Sequence, residues 1–71
     1  MKSEDALKKL NKKQQEWIEI HREAYKQYAT EGNIPLMREE SIKIFSFLTG
    51  LEFAKAISNR DKMLLHIYAT K

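Results

Sequence analysis

The chain contains no cysteine among its 71 residues. Disulfide bonds are therefore excluded, and a structural zinc site would lack thiolate ligands, since only His21 and His66 could offer imidazoles. A domain of this length buries only about 60% of the surface that its unfolded chain exposes, and small domains commonly compensate with disulfides or metals. The sequence instead predicts stabilisation by close helix packing, by self-association or by a partner protein.

Long apolar runs are also missing. No segment approaches the ~20 apolar residues that a transmembrane helix needs, and the N-terminal region is polar and charged through Lys13, which argues against a signal peptide. We therefore expect a cytoplasmic protein that does not enter a membrane, and the lack of cysteine fits that reducing compartment. Valine is absent whereas lysine and isoleucine are frequent, which is a weak compositional pointer to a low-GC bacterium or its phage.

Glycine and proline are scarce, and neither occurs between Lys2 and Glu31. Ser3 is a suitable N-cap, and the larger apolar side chains after it recur at spacings of three and four. These residues are Leu7, Leu10, Trp17, Ile18, Tyr25 and Tyr28. The pattern predicts one long amphipathic helix over residues 4–31. We expect Gly32 to end it with a positive φ, and Pro35 to lie in the first turn of the next helix.

The segment 41–58 has two interpretations. As a helix it has apolar residues on both sides and no polar face, which predicts burial on both sides. As strands, residues 42–48 and 51–57 would flank Thr49-Gly50, with a third strand over 63–70, giving one long helix followed by a three-stranded antiparallel meander. We favour the helix because residues 51–57 are rich in helix-forming side chains.

Ser58 and Asp61 have the spacing of a capping pair, which predicts a last helix with Met63, Leu64, Ile67 and Tyr68 on its apolar side. The predicted fold is all-α. It is a single domain over residues 1–71 with helices at about 4–31, 35–57 and 59–70, the long N-terminal helix packing on a helical hairpin.

The motifs of catalysis are not found in the sequence. Its serines lack the surroundings of known nucleophiles, its two glycines cannot form a phosphate-binding loop, and a Glu-x-x-His pair is missing. We therefore expect a protein that is not an enzyme and that uses no cofactor, metal or small-molecule substrate. His21 is predicted to be a hydrogen-bonded residue on the apolar side of the first helix, and His66 is predicted to face solvent.

Large apolar residues are more numerous on the second and third predicted helices than three short helices need for a core. The sequence therefore predicts a protein that acts by binding another protein, as a regulator, inhibitor or adaptor, or that forms a homo-oligomer. Two groups of contact residues are predicted. One is a surplus apolar face on the second helix, formed by Ile44, Phe47, Leu48 and Leu51. The other is Ile20, an apolar residue on the charged side of the first helix.

An alternative interpretation is nucleic-acid binding. The formal net charge is +3, and a lysine cluster near the N-terminus, formed by Lys8, Lys9, Lys12 and Lys13, could contact phosphates. Ten acidic residues and the lack of a recognisable helix-turn-helix argue against it. We expect these lysines to solvate a helix surface, which is the commoner role of such runs.

Overall fold

The protein is described here by a computed structural model that covers residues 3–71. Four helices hold 81% of these residues, and the described part of the chain contains no strand. The helices are α1 (Ser3–Leu7), α2 (Lys12–Glu31), α3 (Ile34–Phe53) and α4 (Asn59–Ala69). The all-α prediction is confirmed, and the alternative with a three-stranded meander is wrong.

The predicted long N-terminal helix is broken between Leu7 and Lys12. Asn11 ends the break as the N-cap of α2, because its side chain accepts from the Gln14 backbone and the Gln14 side chain accepts from the Asn11 backbone. The Gln15 side chain donates to the carbonyls of Leu7 and Leu10 at 2.9 Å, which satisfies groups that a continuous helix would have bonded internally. The break lets α1 pack on α4.

Gly32 joins α2 to α3 as the sequence predicts. It has a φ of 71°, and the backbone N–H of the next residue, Asn33, donates to the carbonyl of Tyr28 at 2.9 Å, which closes the end of α2. The Asn33 side chain then accepts from the Leu36 backbone, and Pro35 lies in the first turn of α3. The two longest helices therefore form an antiparallel pair.

Helix α3 ends at Phe53, four residues before the predicted end at 57. Gly50 lies inside the helix, and the chain leaves it near Lys55, which has a φ of 63°. Helix α3 contacts α2 on one side and α4 on the other. The predicted burial of both apolar sides is wrong, because the side that carries Ile42, Phe45 and Phe53 is exposed.

The core is one cluster of small and aliphatic side chains drawn from all four helices and from the loops before α2 and α4. Its members are Ala6, Leu10, Ile18, Ile44, Leu48, Ile57, Leu65 and Ala69. The predicted apolar side of α4 is partly wrong, because Met63 and Ile67 are more than half exposed whereas Leu65 is fully buried. The buried face of α4 is rotated by roughly one residue position from the predicted apolar face.

Ser58 and Asp61 cap α4 as predicted, each side chain accepting from the other's backbone. Asp61 is only 1% exposed, and Lys9, from the break after α1, donates to its carboxylate at 2.8 Å. The hydrogen bond from Lys9 and the backbone bond from Ser58 lower the pKa of Asp61 below its ordinary value of 3.8. Asp61 thus ties the α1 end of the chain to the start of α4.

We predict that Asp61→Asn lowers the free energy of unfolding at pH 7 by about 1–3 kcal/mol, because the charge-assisted bond to Lys9 is lost. Since the pKa of Asp61 is lower in the folded state, its carboxylate stabilises the fold above pH 3.8 and loses that effect as the pH falls through the folded pKa. Urea midpoints of both proteins at pH 7 and pH 3 test this. A difference between the urea midpoints of the two proteins that is as large at pH 3 as at pH 7 would contradict this prediction.

Candidate protein-docking face

Large exposed apolar side chains are concentrated on α3 and α4. Four of the seven in the described chain surround the line where these two helices meet: Ile42, Phe45, Met63 and Ile67, with exposures of 65, 47, 57 and 54%. Ile42 lies three residues before Phe45, and Met63 lies four residues before Ile67, so each pair is adjacent on its helix surface. Together these four side chains form one apolar surface. Isolated exposed apolar residues, which are common on proteins, do not form such a surface.

A groove lies within this surface. We define the α3/α4 groove by its lining residues, which are Phe45, Asn59, Lys62, Met63, His66 and Ile67. It encloses about 340 Å³. Phe45 meets the ring of His66 edge-on, with centroids 5.5 Å apart, so an aromatic pair forms one wall. The groove is therefore an open apolar depression with a few polar groups at its edge.

Lys62 fixes the basic edge of the α3/α4 groove. Its ammonium lies 2.8 Å from Glu52 and 4.8 Å from the centre of the Phe45 ring, and its side chain is only 12% exposed. The hydrogen bonds from Lys62 and Asn59 lower the pKa of the Glu52 carboxyl. Glu52 is thus engaged within the protein, and its charge is balanced by Lys62.

The contact residues that the sequence predicts on the second helix are buried or half-buried in the structure. Ile44 and Leu48 are fully buried in the core, so the expectation that they face a partner is wrong. Phe47 and Leu51 are half-buried and pack against the same core. The stacked rings of Phe47 and Trp17, with centroids 4.0 Å apart, join α3 to α2. The surplus face predicted from sequence is therefore the interior of the molecule.

Ile20 is exposed, at 66%, as the sequence predicts. It is the only large exposed apolar side chain on α2 among the described residues. A depression of about 710 Å³ around it is lined by Ile20 together with Lys12, Gln15, Glu16 and Glu19. Ile20 therefore belongs to a second surface, on α2, that is separate from the α3/α4 groove.

The predicted lysine cluster does not lie on one helix. Lys8 and Lys9 are in the break after α1, whereas Lys12 and Lys13 are in the first turn of α2. Lys9 is bound to Asp61 at 2.8 Å and so has a structural partner. The other three are exposed. The structure leaves no continuous stripe of four lysines along a helix.

His21 is a hydrogen-bonded residue between α2 and α3, which confirms its prediction. Its Nδ1 lies 2.5 Å from the carboxylate of Glu40, a side chain only 6% exposed. Trp17 covers the imidazole ring, with centroids 3.9 Å apart, and Lys43 reaches the other Glu40 oxygen at 3.4 Å. A buried carboxylate in this position needs such partners, because an unpaired buried charge is costly.

His66 is less exposed than the sequence predicts, although it lines the open α3/α4 groove. It is half-buried, and its Nε2 lies 3.3 Å from Oγ of Ser41. Ser41 is inside α3, where backbone N–H groups are bonded within the helix and do not form an oxyanion hole. Within residues 3–71, three His, Cys, Asp or Glu side chains that could hold a metal ion are not found together. The Ser41–His66 contact is best explained as packing between α3 and α4.

Tyr68 connects α4 to α2. Its hydroxyl donates to Glu19, and Arg22 lies over its ring at 4.5 Å while donating to its backbone carbonyl at 3.1 Å. The bond to Glu19 and burial raise the pKa of Tyr68. This side of α4 is therefore covered by α2, and the opposite side carries the α3/α4 groove.

In the part of the chain that the structure describes, no helix is both long and apolar enough to cross a membrane. Comparisons of the chain with protein-family models, with curated proteins and with solved structures found no match.

Proposed function

We propose that this protein is a small non-enzymatic regulator, inhibitor or adaptor that acts by binding another protein through the α3/α4 groove. The observation that carries the proposal is the concentration of exposed apolar side chains there, with Ile42, Phe45, Met63 and Ile67 forming one surface. Contiguous exposed apolar surface is costly in water, and on a soluble protein it commonly marks an interaction site.

The shape of the α3/α4 groove supports one mode of binding. Two adjacent helices with an apolar depression between them can accept the apolar face of a third helix, whose anchors then recur at spacings of three and four residues. Phe45 and Met63 would contact such a helix from opposite walls. Aromatic and methionine side chains are enriched at such contacts, because they bury much area and adapt to different partners.

The proposal is tested by comparing the native chain with Met63→Gln/Ile67→Gln in affinity capture from cells of the source organism. Both positions are more than half exposed, so the variant should keep its fold, with unfolding free energy changed by about 1 kcal/mol or less. We expect a stoichiometric partner that the native chain retains and the variant loses, and that rebinds when purified. Loss of anchor contacts should weaken affinity at least about tenfold.

Ile20→Gln is the matched control, because it makes the same change at an equally exposed position away from the groove. It should retain the partner. Equal retention by the Met63→Gln/Ile67→Gln variant would contradict a docking role for the groove. A retained species that is removed by nuclease, and lost in a Lys8→Gln/Lys12→Gln/Lys13→Gln variant, would favour nucleic-acid binding instead. A purified native dimer that the groove variant dissociates would show that the partner is a second copy.

A further inference from the structure

Exposed charge is distributed unevenly over the molecule. On α2 the exposed ionic side chains are balanced, with three basic residues against three acidic ones: Lys12, Lys13 and Lys26 against Glu16, Glu23 and Glu31. On α3, α4 and the residues after α4, four exposed basic side chains face one exposed acidic one: Arg38, Lys43, Arg60 and Lys71 against Glu39. The excess of exposed positive charge therefore lies on α3, α4 and the residues after α4.

Helix periodicity places these charges in line with the apolar anchors. Arg60 lies three residues before Met63 on α4, and Lys71 follows the end of that helix at Ala69, so basic residues precede and follow the apolar row. Arg38 lies one turn before Ile42 on α3. The apolar surface is thus bracketed by basic side chains.

Apart from Glu39, which is exposed, the acidic residues of α3 and α4 are engaged within the protein. Asp61 is buried and bound to Lys9, Glu40 is buried and bound to His21, and Glu52 is paired with Lys62. These carboxylates therefore do not neutralise the positive charges of the exposed side chains Arg38, Arg60 and Lys71. A ligand that buries the groove must therefore supply negative charge at its edges, or these basic groups will repel it.

We infer that the α3/α4 groove binds an amphipathic helix of another protein whose apolar anchors are flanked by Asp and Glu. The inference rests on the proposed docking function and adds the chemistry of the partner. A second copy fits less well, because a two-fold contact through this face would bring the same basic groups of both protomers together. An anionic bilayer fits less well because it is broad and flat, whereas Phe45, Met63 and Ile67 line a depression.

The test is a selection from a displayed library of helical peptides, with the full-length protein as target. The library keeps leucine and phenylalanine at positions i, i+3, i+4 and i+7 and randomises the flanking positions. We expect the recovered binders to be enriched in Asp and Glu at the flanks. Their affinity for the charge-reversed protein Arg60→Glu/Lys71→Glu should fall by about tenfold or more, with a steep dependence of the native affinity on salt.

Lys12→Glu/Lys13→Glu is the matched control, because it makes the same change in net charge at exposed positions on α2. It should bind the selected peptides within about twofold of the native affinity. Binders that depend on Met63 and Ile67 but carry neutral or basic flanks would overturn the inferred partner chemistry and leave the docking function standing. Binders that are insensitive to Met63→Gln/Ile67→Gln would overturn the docking function itself.

Two further measurements address the other occupants. Sedimentation equilibrium of the native protein and of Met63→Gln/Ile67→Gln should show monomers of 8.4 kDa for both. A native dimer that the variant dissociates would make a second copy the occupant. Phosphatidylglycerol vesicles should bind the native protein no more tightly than the control variant. Vesicle binding that is lost on Arg60→Glu/Lys71→Glu, without any acidic peptide recovered, would overturn the helical partner in favour of a bilayer.

Discussion

Ile44→Ala is expected to lower the free energy of unfolding by about 3–4 kcal/mol, because it removes a fully buried side chain and leaves a cavity. A domain of this size has a total stability on the order of 4–10 kcal/mol. The variant should therefore unfold at a much lower urea concentration or be partly unfolded in buffer. Helical circular dichroism followed through a urea titration measures the loss.

Ile42→Ala is the matched control for this variant. Ile42 lies two residues earlier on α3 and is 65% exposed, so both changes remove the same atoms and share the same gain in helix propensity. We expect its unfolding free energy to change by about 0.5 kcal/mol or less. If the two variants were equally stable, Ile44 would not be a core residue. Its selection as a partner contact from sequence would then regain support.

The comparison of Ile42 and Ile44 shows which part of the fold the sequence predicts. Helical projection separates α3 correctly into two apolar sides, and it places Ile44 with Leu48 and Ile42 with Phe45. It does not say which side faces the core, because both are apolar and the choice depends on where α2 and α4 pack. The exposed apolar residues Ile42 and Phe45 therefore lie on the helix that the sequence singles out, but on the other side from Ile44 and Leu48.

The break near Asn11 was missed for a different reason. Glycine and proline are the usual signals of a helix end, and neither occurs in the first 31 residues. The pair Asn11 and Gln14 has the spacing of a capping box, which is a sequence signal for a new helix start. The bonds from Gln15 to the carbonyls of Leu7 and Leu10 are tertiary details that the sequence pattern does not indicate.

Helix α3 packs against two helices and still exposes a row of apolar side chains. The helix contacts α2 through Phe47 and α4 through Ser41, and it still presents Ile42 and Phe45 outward. A helix that only filled a core would gain stability and solubility from polar residues at these outward positions. Their apolar character supports the proposal that a partner protein binds there.

The contact between His21 and Glu40 should be the most stabilising polar interaction in the described chain, and we predict that His21→Leu lowers the free energy of unfolding by about 2–3 kcal/mol. The carboxylate of Glu40 is 6% exposed, and the substitution would leave only Lys43, at 3.4 Å, beside it. The cost comes mainly from a buried charge that has lost its partner.

The double variant His21→Leu/Glu40→Leu separates this cost from lost packing. Removing both hydrogen-bonding side chains should recover at least half of the loss, since replacing both members of a buried polar pair by apolar residues can be nearly neutral. His66→Leu is the control, because His66 is also half-buried but contacts the hydroxyl of Ser41, which can bond to water instead. It should cost about 1 kcal/mol or less. If the double variant were as unstable as His21→Leu, His21 would act through its stacking on Trp17, and the charge of Glu40 would not explain the loss.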